Sequence, residues 1–177
     1  MTTNFCLFDT SFGRCALAWN AVGISGASFP EVDDQTTNTR LLRANPNAKE
    51  AAPNEPAAKA INAVQKLLDM GEADFSEIPL DISALNDFDK SVLTETLKIA
   101  PGQVLTYGAI AKTLGDIAFS RRVGQALGRN PIPIIIPCHR VVGADGQMTG
   151  FSAPGGAHLK RQLLKLEGAL PPDLFDT

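Results

Sequence analysis

The segment VLTYGAIAKTLGDIAFSRRVGQALGRN, residues 104–130, decides the fold of the C-terminal half. Its first part predicts a short helix, YGAIAKTLG, which Thr106 can cap at its N-terminus. A second helix is predicted over about residues 118–127, and Gly128 ends it because glycine favours helix termination. Two short helices joined by a tight turn are typical of a helix-turn-helix.

The stretch that follows, IPIIIPCHRVV, ends an apolar run with a thiol, an imidazole and a guanidinium. A cysteine attacks as the thiolate, and neighbouring cations favour that form. Cys138 is therefore a candidate nucleophile. Because neighbours in an extended segment point to opposite faces, we expect His139 to reach the sulfur through a water. Glu167 is a candidate to orient the imidazole. The alternative is a buried packing cysteine, the commoner role.

The rest of the chain predicts strands first and helices later. The runs FCLFD, RCALAW and VGISGASF favour a hairpin or meander. TTNTRLLRA favours a short helix, and residues 45–56 favour a loop. AAKAINAVQKLLDMG predicts a helix that Gly71 ends. Residues 75–82 are interpreted as a short last strand and a linker, and a further helix is expected from Asn86.

Composition and charge exclude several classes of protein. The chain has 177 residues, a net charge of −3 and three cysteines, too few for a disulfide framework. We expect neither a membrane span nor a secretory signal, and we expect a cytoplasmic protein. Residues 1–84 carry a net charge of −5 and residues 85–170 a net charge of +4. A nucleic-acid surface, if present, belongs to the second part. Cys6 and Cys15 lie in apolar strands, and no zinc site or other metal site is expected.

Three pieces of the chain resemble the O6-alkylguanine-DNA alkyltransferases, also called methylated-DNA–protein-cysteine methyltransferases. They are VLTYGAIAKTLG, RRVGQALGRNPIPIIIPCHRVV and TGFSAPGGAHLKRQLLKLEG. The PCHR box after GRNP and an isoleucine-rich run is specific to this family. The N-terminal half is similar more loosely, in the hairpin, the AINAVQKLL helix and IPLDIS.

The resemblance implies an α+β fold in two domains. Residues 1–84 are expected to form a scaffold domain, an RNase H-like three-stranded antiparallel sheet with a flanking helix. Residues 85–170 are expected to form a mostly helical, winged-helix-like domain that binds DNA and transfers the alkyl group. Residues 171–177 are expected to be a tail. No cofactor is implied, and we expect a monomer without a membrane partner.

The implied activity is repair of double-stranded DNA that contains O6-alkylguanine, and of O4-alkylthymine. Cys138 resembles the acceptor that takes the alkyl group once and irreversibly, with His139 and Glu167 as the relay that ionises it. Tyr107 resembles the tyrosine that donates a hydrogen bond to guanine N3, where negative charge develops. Asn130 resembles the asparagine that ties the helix-turn-helix to the active-site segment.

Further residues are carried over to the substrate pocket and the DNA surface. Ser152 resembles a contact to O6, Lys160 a lysine near the active-site loop, and Val141 and Phe151 are expected in the pocket. Arg121 resembles the arginine that fills the space left by the extruded nucleotide. The recognition helix enters the minor groove in this family. Other candidates for DNA contact are Arg122, Gly124, Ala126 and Arg129, with Gly128 as a further small residue on the same helix.

The chain departs from the family pattern at several positions. Arg122 stands where a small residue is common, and we expect it to strengthen phosphate contact. Phe151 stands where a tyrosine is common, and Leu93 replaces a tryptophan, which we interpret as a core substitution. Residues 36–56 have no clear counterpart.

Three alternative functions remain open. An alkyltransferase-like protein binds the lesion but lacks the cysteine. A helix-turn-helix regulator binds one sequence tightly, whereas a repair protein binds many sequences with strong salt dependence. A cysteine hydrolase turns over repeatedly.

Overall fold

A four-stranded sheet forms the core of the N-terminal half, in the computed structural model that describes residues 1–148, 151, 153 and 155–171. Its strands are β1 (Asn4–Thr10), β2 (Gly13–Trp19), β3 (Ile24–Ser28) and β4 (Lys49–Glu50), in the order β3-β2-β1-β4. The first three pair antiparallel, as predicted, and β4 pairs parallel with β1. The prediction of a three-stranded sheet was therefore incomplete.

Two helices cover the two faces of this sheet. The helix α1 (Asp34–Ala44) packs Leu41 against one set of alternate β2 residues, Ala16 and Ala18. The helix α2 (Glu55–Met70) lies on the other face, with the alternate set that includes Leu17. This arrangement follows from the period of two along a strand.

The boundaries of α2 follow its capping residues. The side chain of Asn54 accepts a hydrogen bond from the Ala57 backbone, and Gly71 ends the helix in the left-handed conformation with φ 79°. A side chain at Gly71 would collide with the carbonyl oxygen of Leu166, so the glycine also permits close packing against the C-terminal half. The strand predicted within residues 75–82 is wrong, because only an isolated bridge between Ile24 and Leu80 forms there.

The C-terminal half is mostly helical. It contains α3 (Asp87–Leu97), α4 (Tyr107–Thr113), α5 (Ser120–Gly128) and α6 (Gly156–Leu166), and two short strands, β5 (Leu105–Thr106) and β6 (Val141–Val142), pair parallel. Thr106 caps α4, as predicted, by accepting from the Ala109 backbone. Within the described residues, every helix is too short or too polar to cross a membrane.

Buried side chains connect the two halves. One cluster includes Leu17 and Val64 from the first half and Leu93, Ile136 and Leu163 from the second. Leu93 is fully buried, which agrees with its interpretation as a core residue. The division of the chain at residue 84 stays a prediction. The α4–α5 pair packs on this cluster and carries the segment that leads to Cys138.

Candidate active site

Asn130 fixes the turn between α5 and the candidate nucleophile. Its side-chain amide donates to the carbonyl of Ile136 at 3.0 Å, and its side-chain oxygen accepts from the Ile132 backbone at 2.9 Å. Between these bonds Ile134 has φ 77°, an unusual backbone conformation for a β-branched residue. The turn is therefore held against local strain, and its end places Cys138.

Cys138 begins a short 3₁₀ turn, Cys138–Arg140, rather than the extended segment that we expected. Burial raises the pKa of the Cys138 thiol. The side chain of Asn130, the positive charge of Lys160 and the backbone N–H groups of Cys138 and His139 all oppose this effect by favouring the thiolate. The resting sulfur is therefore a thiol whose neighbours are arranged to stabilise the anion.

His139 and Arg140 both contact Glu167, which lies 28 and 27 residues further along the chain, respectively. Nε2 of His139 lies 3.0 Å from Oε1 of Glu167. Arg140 donates from Nε to Oε1 at 3.0 Å, from Nη2 to Oε2 at 2.6 Å and from Nη1 to the carbonyl of Ile99 at 2.7 Å. The guanidinium thus binds the carboxylate in a bidentate manner. The sequence had suggested that Arg140 stabilises the thiolate of Cys138 directly. Its guanidinium binds Glu167 instead.

The charges in this triad fix the state of the imidazole. Burial alone would raise the pKa of Glu167, but the hydrogen bonds and charges of His139 and Arg140 outweigh it and lower that pKa. Burial lowers the pKa of His139, against the effect of Glu167. The neutral imidazole therefore donates from Nε2 to the carboxylate, and Nδ1 is left as an acceptor. Nδ1 is buried and has no hydrogen-bond partner among the described residues.

A cleft of about 230 Å³ opens over Cys138. Tyr107 and Phe151 line it together with residues from the N-terminal half, and Phe151 packs edge-on against Phe29 with ring centroids 6.1 Å apart. The two halves of the chain therefore build one cleft. Ser152, predicted to contact O6, lies outside the described residues.

Lys160 lies buried behind the cleft. Its Nζ donates to the carbonyl of Val141 at 2.6 Å and lies 5.8 Å from the centre of the Tyr107 ring and 5.9 Å from that of Phe151. Burial lowers the pKa of Lys160 to about 8.

Val141 was predicted to line the pocket, but its side chain is buried in β6, away from the residues that line the cleft. Val141 supplies a carbonyl oxygen instead.

An open groove of about 800 Å³ runs between α4 and α5. Arg121 and Gly124 line it, and the Arg121 side chain is exposed and forms no ion pair among the described residues. Tyr107 lines this groove as well as the cleft over Cys138. The two cavities therefore adjoin at one side chain.

The other predicted DNA contacts of α5 have different environments. Arg122 stacks on the ring of Phe88 at 4.0 Å, and Arg129 forms a bidentate ion pair with Asp89 at 2.7 and 2.8 Å. Ala126 is 1% exposed and belongs to the core, so its assignment to a DNA-facing surface is corrected. Its methyl group faces the protein interior because α5 buries this side against α3.

Sequence reasoning missed several residues of the site. The clamp of Arg140 on Glu167 joins positions 27 residues apart, and no local pattern indicates it. Phe29, Arg40 and Arg43 of the N-terminal half line the cleft. The spacing of the two arginines on one helix was the available signal. Among the described residues, no group of three histidine, cysteine or acidic side chains is placed to hold a metal ion.

The chain is similar to known proteins over this region and beyond it. Residues 87–169 match the family described as 6-O-methylguanine DNA methyltransferase, DNA binding domain. A methylated-DNA–protein-cysteine methyltransferase of Methanosarcina acetivorans is 51% identical over 83 residues, 47% of this chain. The match spans 52% of that relative, about half of its length.

Longer matches include the N-terminal half. A protein of the same name from Methanothermobacter thermautotrophicus is 34% identical over 137 residues, 77% of this chain and 76% of that one. Among solved structures, Mycobacterium tuberculosis OGT in complex with DNA superposes with a TM-score of 0.76 at 30% identity. That superposition covers 94% of this chain and 93% of the other.

Proposed function

Because this chain belongs to the methylated-DNA–protein-cysteine methyltransferase family, we propose that it repairs alkylated DNA directly. In this proposal the alkyl group passes from O6 of guanine, or from O4 of thymine, to the sulfur of Cys138. The product is S-alkylcysteine, so each protein molecule acts once. Double-stranded DNA is the partner, and the protein works as a monomer without a cofactor.

The adjoining cavities carry this proposal. The target atom lies inside a duplex, so the nucleotide must leave the base stack before chemistry. The groove with Arg121 offers a surface for the duplex, and the cleft with Cys138 offers a site for one base. Because Tyr107 lines both cavities, a base that leaves the groove enters the cleft beside this ring.

The reaction is a direct displacement at the alkyl carbon. His139 is neutral and its Nδ1 is free to accept a proton, so it takes the proton of the Cys138 thiol through a water. The thiolate forms the new S–C bond as the C–O bond breaks, and the electron pair remains on the purine. The Tyr107 hydroxyl donates to N3 of the leaving base, which stabilises the developing charge. The charge of Lys160 favours the thiolate.

The helix α5 is suited to a close approach of the DNA. Glycine within a helix destabilises it relative to alanine. Among the described residues, no neighbour requires glycine at position 124, because an added Cβ would lie 3.8 Å from the Tyr107 ring, an ordinary contact. We infer that a partner outside the protein needs the space. Arg121 then occupies the gap that the extruded nucleotide leaves in the duplex. Arg129, which is paired with Asp89, contacts the sugar-phosphate backbone of the DNA.

Several finer features belong to the same proposal. The N-terminal sheet is of the RNase H-like kind, and the C-terminal half is winged-helix-like. Phe151 keeps a flat apolar wall where the family commonly has a tyrosine. The phosphate contact that we expected of Arg122 is left out of this proposal, because its guanidinium stacks on the Phe88 ring.

The number of transfer events per protein tests the proposal. The protein is incubated with an excess of duplex that contains one O6-methylguanine, and repaired guanine is counted against protein. A plateau at one repaired base per protein supports single transfer. Continued turnover would indicate a hydrolase, and binding without repair would indicate a lesion-binding protein or a regulator.

A further inference from the structure

The last turn of α1 forms one wall of the cleft over Cys138. Arg43 lines the cleft from this turn, Arg40 lines it from the preceding turn, and Arg129 lines it from the C-terminal cap of α5. These side chains lie on elements from opposite halves of the chain. The N-terminal half, although it carries a net charge of −5, thus places two cations at the candidate active site.

The three guanidinium groups differ in how far they are neutralised. Arg40 pairs with Glu31 at 2.8 Å, and Arg129 pairs with Asp89 at 2.7 Å. Arg43 is exposed and forms no ion pair with any carboxylate that the structure describes. The wall of the cleft therefore carries an uncompensated positive charge at Arg43.

The size of the cleft indicates which part of an extruded nucleotide lies near the positive charge of Arg43. Pockets that enclose drug-sized ligands measure about 300–1,000 Å³, whereas this cleft measures about 230 Å³. A cleft of this size is too small to enclose a whole nucleotide, so we expect it to receive the base alone. The sugar and its flanking phosphates must therefore stay at the mouth when the base approaches Cys138.

We propose that Arg43 binds a phosphate of the strand from which the base is extruded. The N-terminal half is then part of the DNA-binding surface, in addition to supporting the active site. This inference rests on the proposed function and adds a residue outside the helix-turn-helix to it. Arginine suits the role because its planar fork binds phosphate oxygens in pairs.

A purely structural role for Arg43 makes a different prediction. Arg43 lies in the last turn of α1, where a cation interacts favourably with the helix dipole. In that case Arg43→Ala would lower the urea midpoint slightly and leave DNA binding unchanged. The two roles are separated by measuring stability and DNA affinity on the same variants.

The test compares Arg43→Glu with Lys66→Glu, which makes the same charge change on α2. Lys66 lines a separate groove with Asp9, Ser11 and Asp69. Affinity for a duplex with one O6-methylguanine is measured across a salt series, with Cys138→Ser in every protein to prevent transfer. Arg43→Glu should weaken binding severalfold more than Lys66→Glu. For Arg43→Glu, the slope of the logarithm of the association constant against the logarithm of the salt concentration should become less steep by about 0.9, the value for one phosphate contact. Arg43→Lys should restore part of the affinity.

A second measurement separates this inference from the proposed function. With Cys138 intact, Arg43→Glu should slow alkyl transfer from the duplex by a larger factor than transfer from the free base O6-benzylguanine, because only the duplex carries the phosphate. Equal DNA affinities for Arg43→Glu and Lys66→Glu would overturn the role of Arg43. The role would also be overturned if Arg43→Glu slowed transfer from O6-benzylguanine by the same factor as transfer from the duplex. Failure of the unchanged protein to react with O6-benzylguanine would instead contradict the proposed function.

Discussion

Nε2 of His139 lies 3.0 Å from Oε1 of Glu167, and the side chains of both residues are 1% exposed. The same carboxylate holds the guanidinium of Arg140. The buried carboxylate of Glu167 therefore orients His139, the proton acceptor of the proposed reaction, and neutralises the buried guanidinium of Arg140. Charge at this position serves both reactivity and stability.

Glu167→Gln should impair both properties. The change leaves Arg140 buried without its counter-charge, which destabilises a protein by about 3–5 kcal/mol. Total stabilities are about 5–15 kcal/mol, so we expect a folded variant with a lower urea midpoint. The less basic imidazole should slow transfer from O6-benzylguanine by about 100-fold, the lower end of general-base contributions.

Glu167→Asp is the matched control, because it keeps the charge and shortens the side chain. It should retain more stability and more activity than Glu167→Gln. If Glu167→Gln reacts at the original rate and the titration of Cys138 is unchanged, Glu167 has no part in the relay.

Acidification should destabilise the protein through His139. The pKa of His139 is lowered in the folded protein, so the unfolded chain binds its proton first, below about pH 6.5. Stability from this group is present above that pH and is lost as the pH falls towards the folded pKa. The pKa of Glu167 is also lowered and adds the same trend below about pH 4.3.

Urea midpoints measured from pH 8 to pH 5 check this expectation. His139→Gln should flatten the dependence that begins near pH 6.5. His158→Gln, at an exposed position of α6, should leave it intact. Identical pH profiles for the two variants would contradict a buried neutral imidazole at position 139.

Arg121→Ala should reduce repair in duplex DNA far more than reaction with the free base. Extrusion of a nucleotide costs a few kcal/mol, and a lost contribution of about 1.4 kcal/mol slows the duplex reaction about tenfold. Arg122→Ala is the control, because Arg122 stacks on Phe88 and faces α3. Equal losses on the duplex and on O6-benzylguanine would remove Arg121 from extrusion.

Gly124→Ala should stabilise the protein and weaken DNA binding. Alanine in a helix is more favourable than glycine by about 0.8–1.0 kcal/mol, and the added methyl group meets only an ordinary contact at 3.8 Å. In the complex the same methyl group separates α5 from the DNA. Gln125→Ala, at the exposed neighbouring position, serves as the control in urea unfolding and DNA titration. Unchanged affinity for Gly124→Ala would show that α5 does not approach the duplex there.

The sequence predicted the parts of the fold that depend on local signals. Periodic apolar residues and capping side chains predicted α2 and the α4–α5 pair, with Thr106 and Gly71 at the boundaries that the structure has. The strand β4 was missed because two exposed residues carry no apolar alternation. The segment of residues 75–82 was wrongly predicted as a strand because its apolar residues pack on the core without forming a ladder.

The candidate site depended more on the resemblance than on local pattern. Cys138, His139 and the candidate Glu167 were proposed from their chemistry, and the resemblance supplied Tyr107, Asn130 and Arg121. Neither indicated that Arg140 turns away from the thiol to Glu167, because the direction of a side chain is set by tertiary packing. Ala126 was misassigned for the same reason, since a small residue on a helix suits both a core and a close external contact.

The mass of Cys138 after reaction tests the central claim most directly. The protein is incubated with duplex DNA that contains one O6-methylguanine, and the intact protein and its peptides are weighed, with Cys138→Ser in parallel. We predict a gain of one methyl group, confined to the peptide with Cys138, and no gain in Cys138→Ser although it still binds the duplex. An unmodified Cys138, or a methyl group on Cys6 or Cys15, would contradict the account.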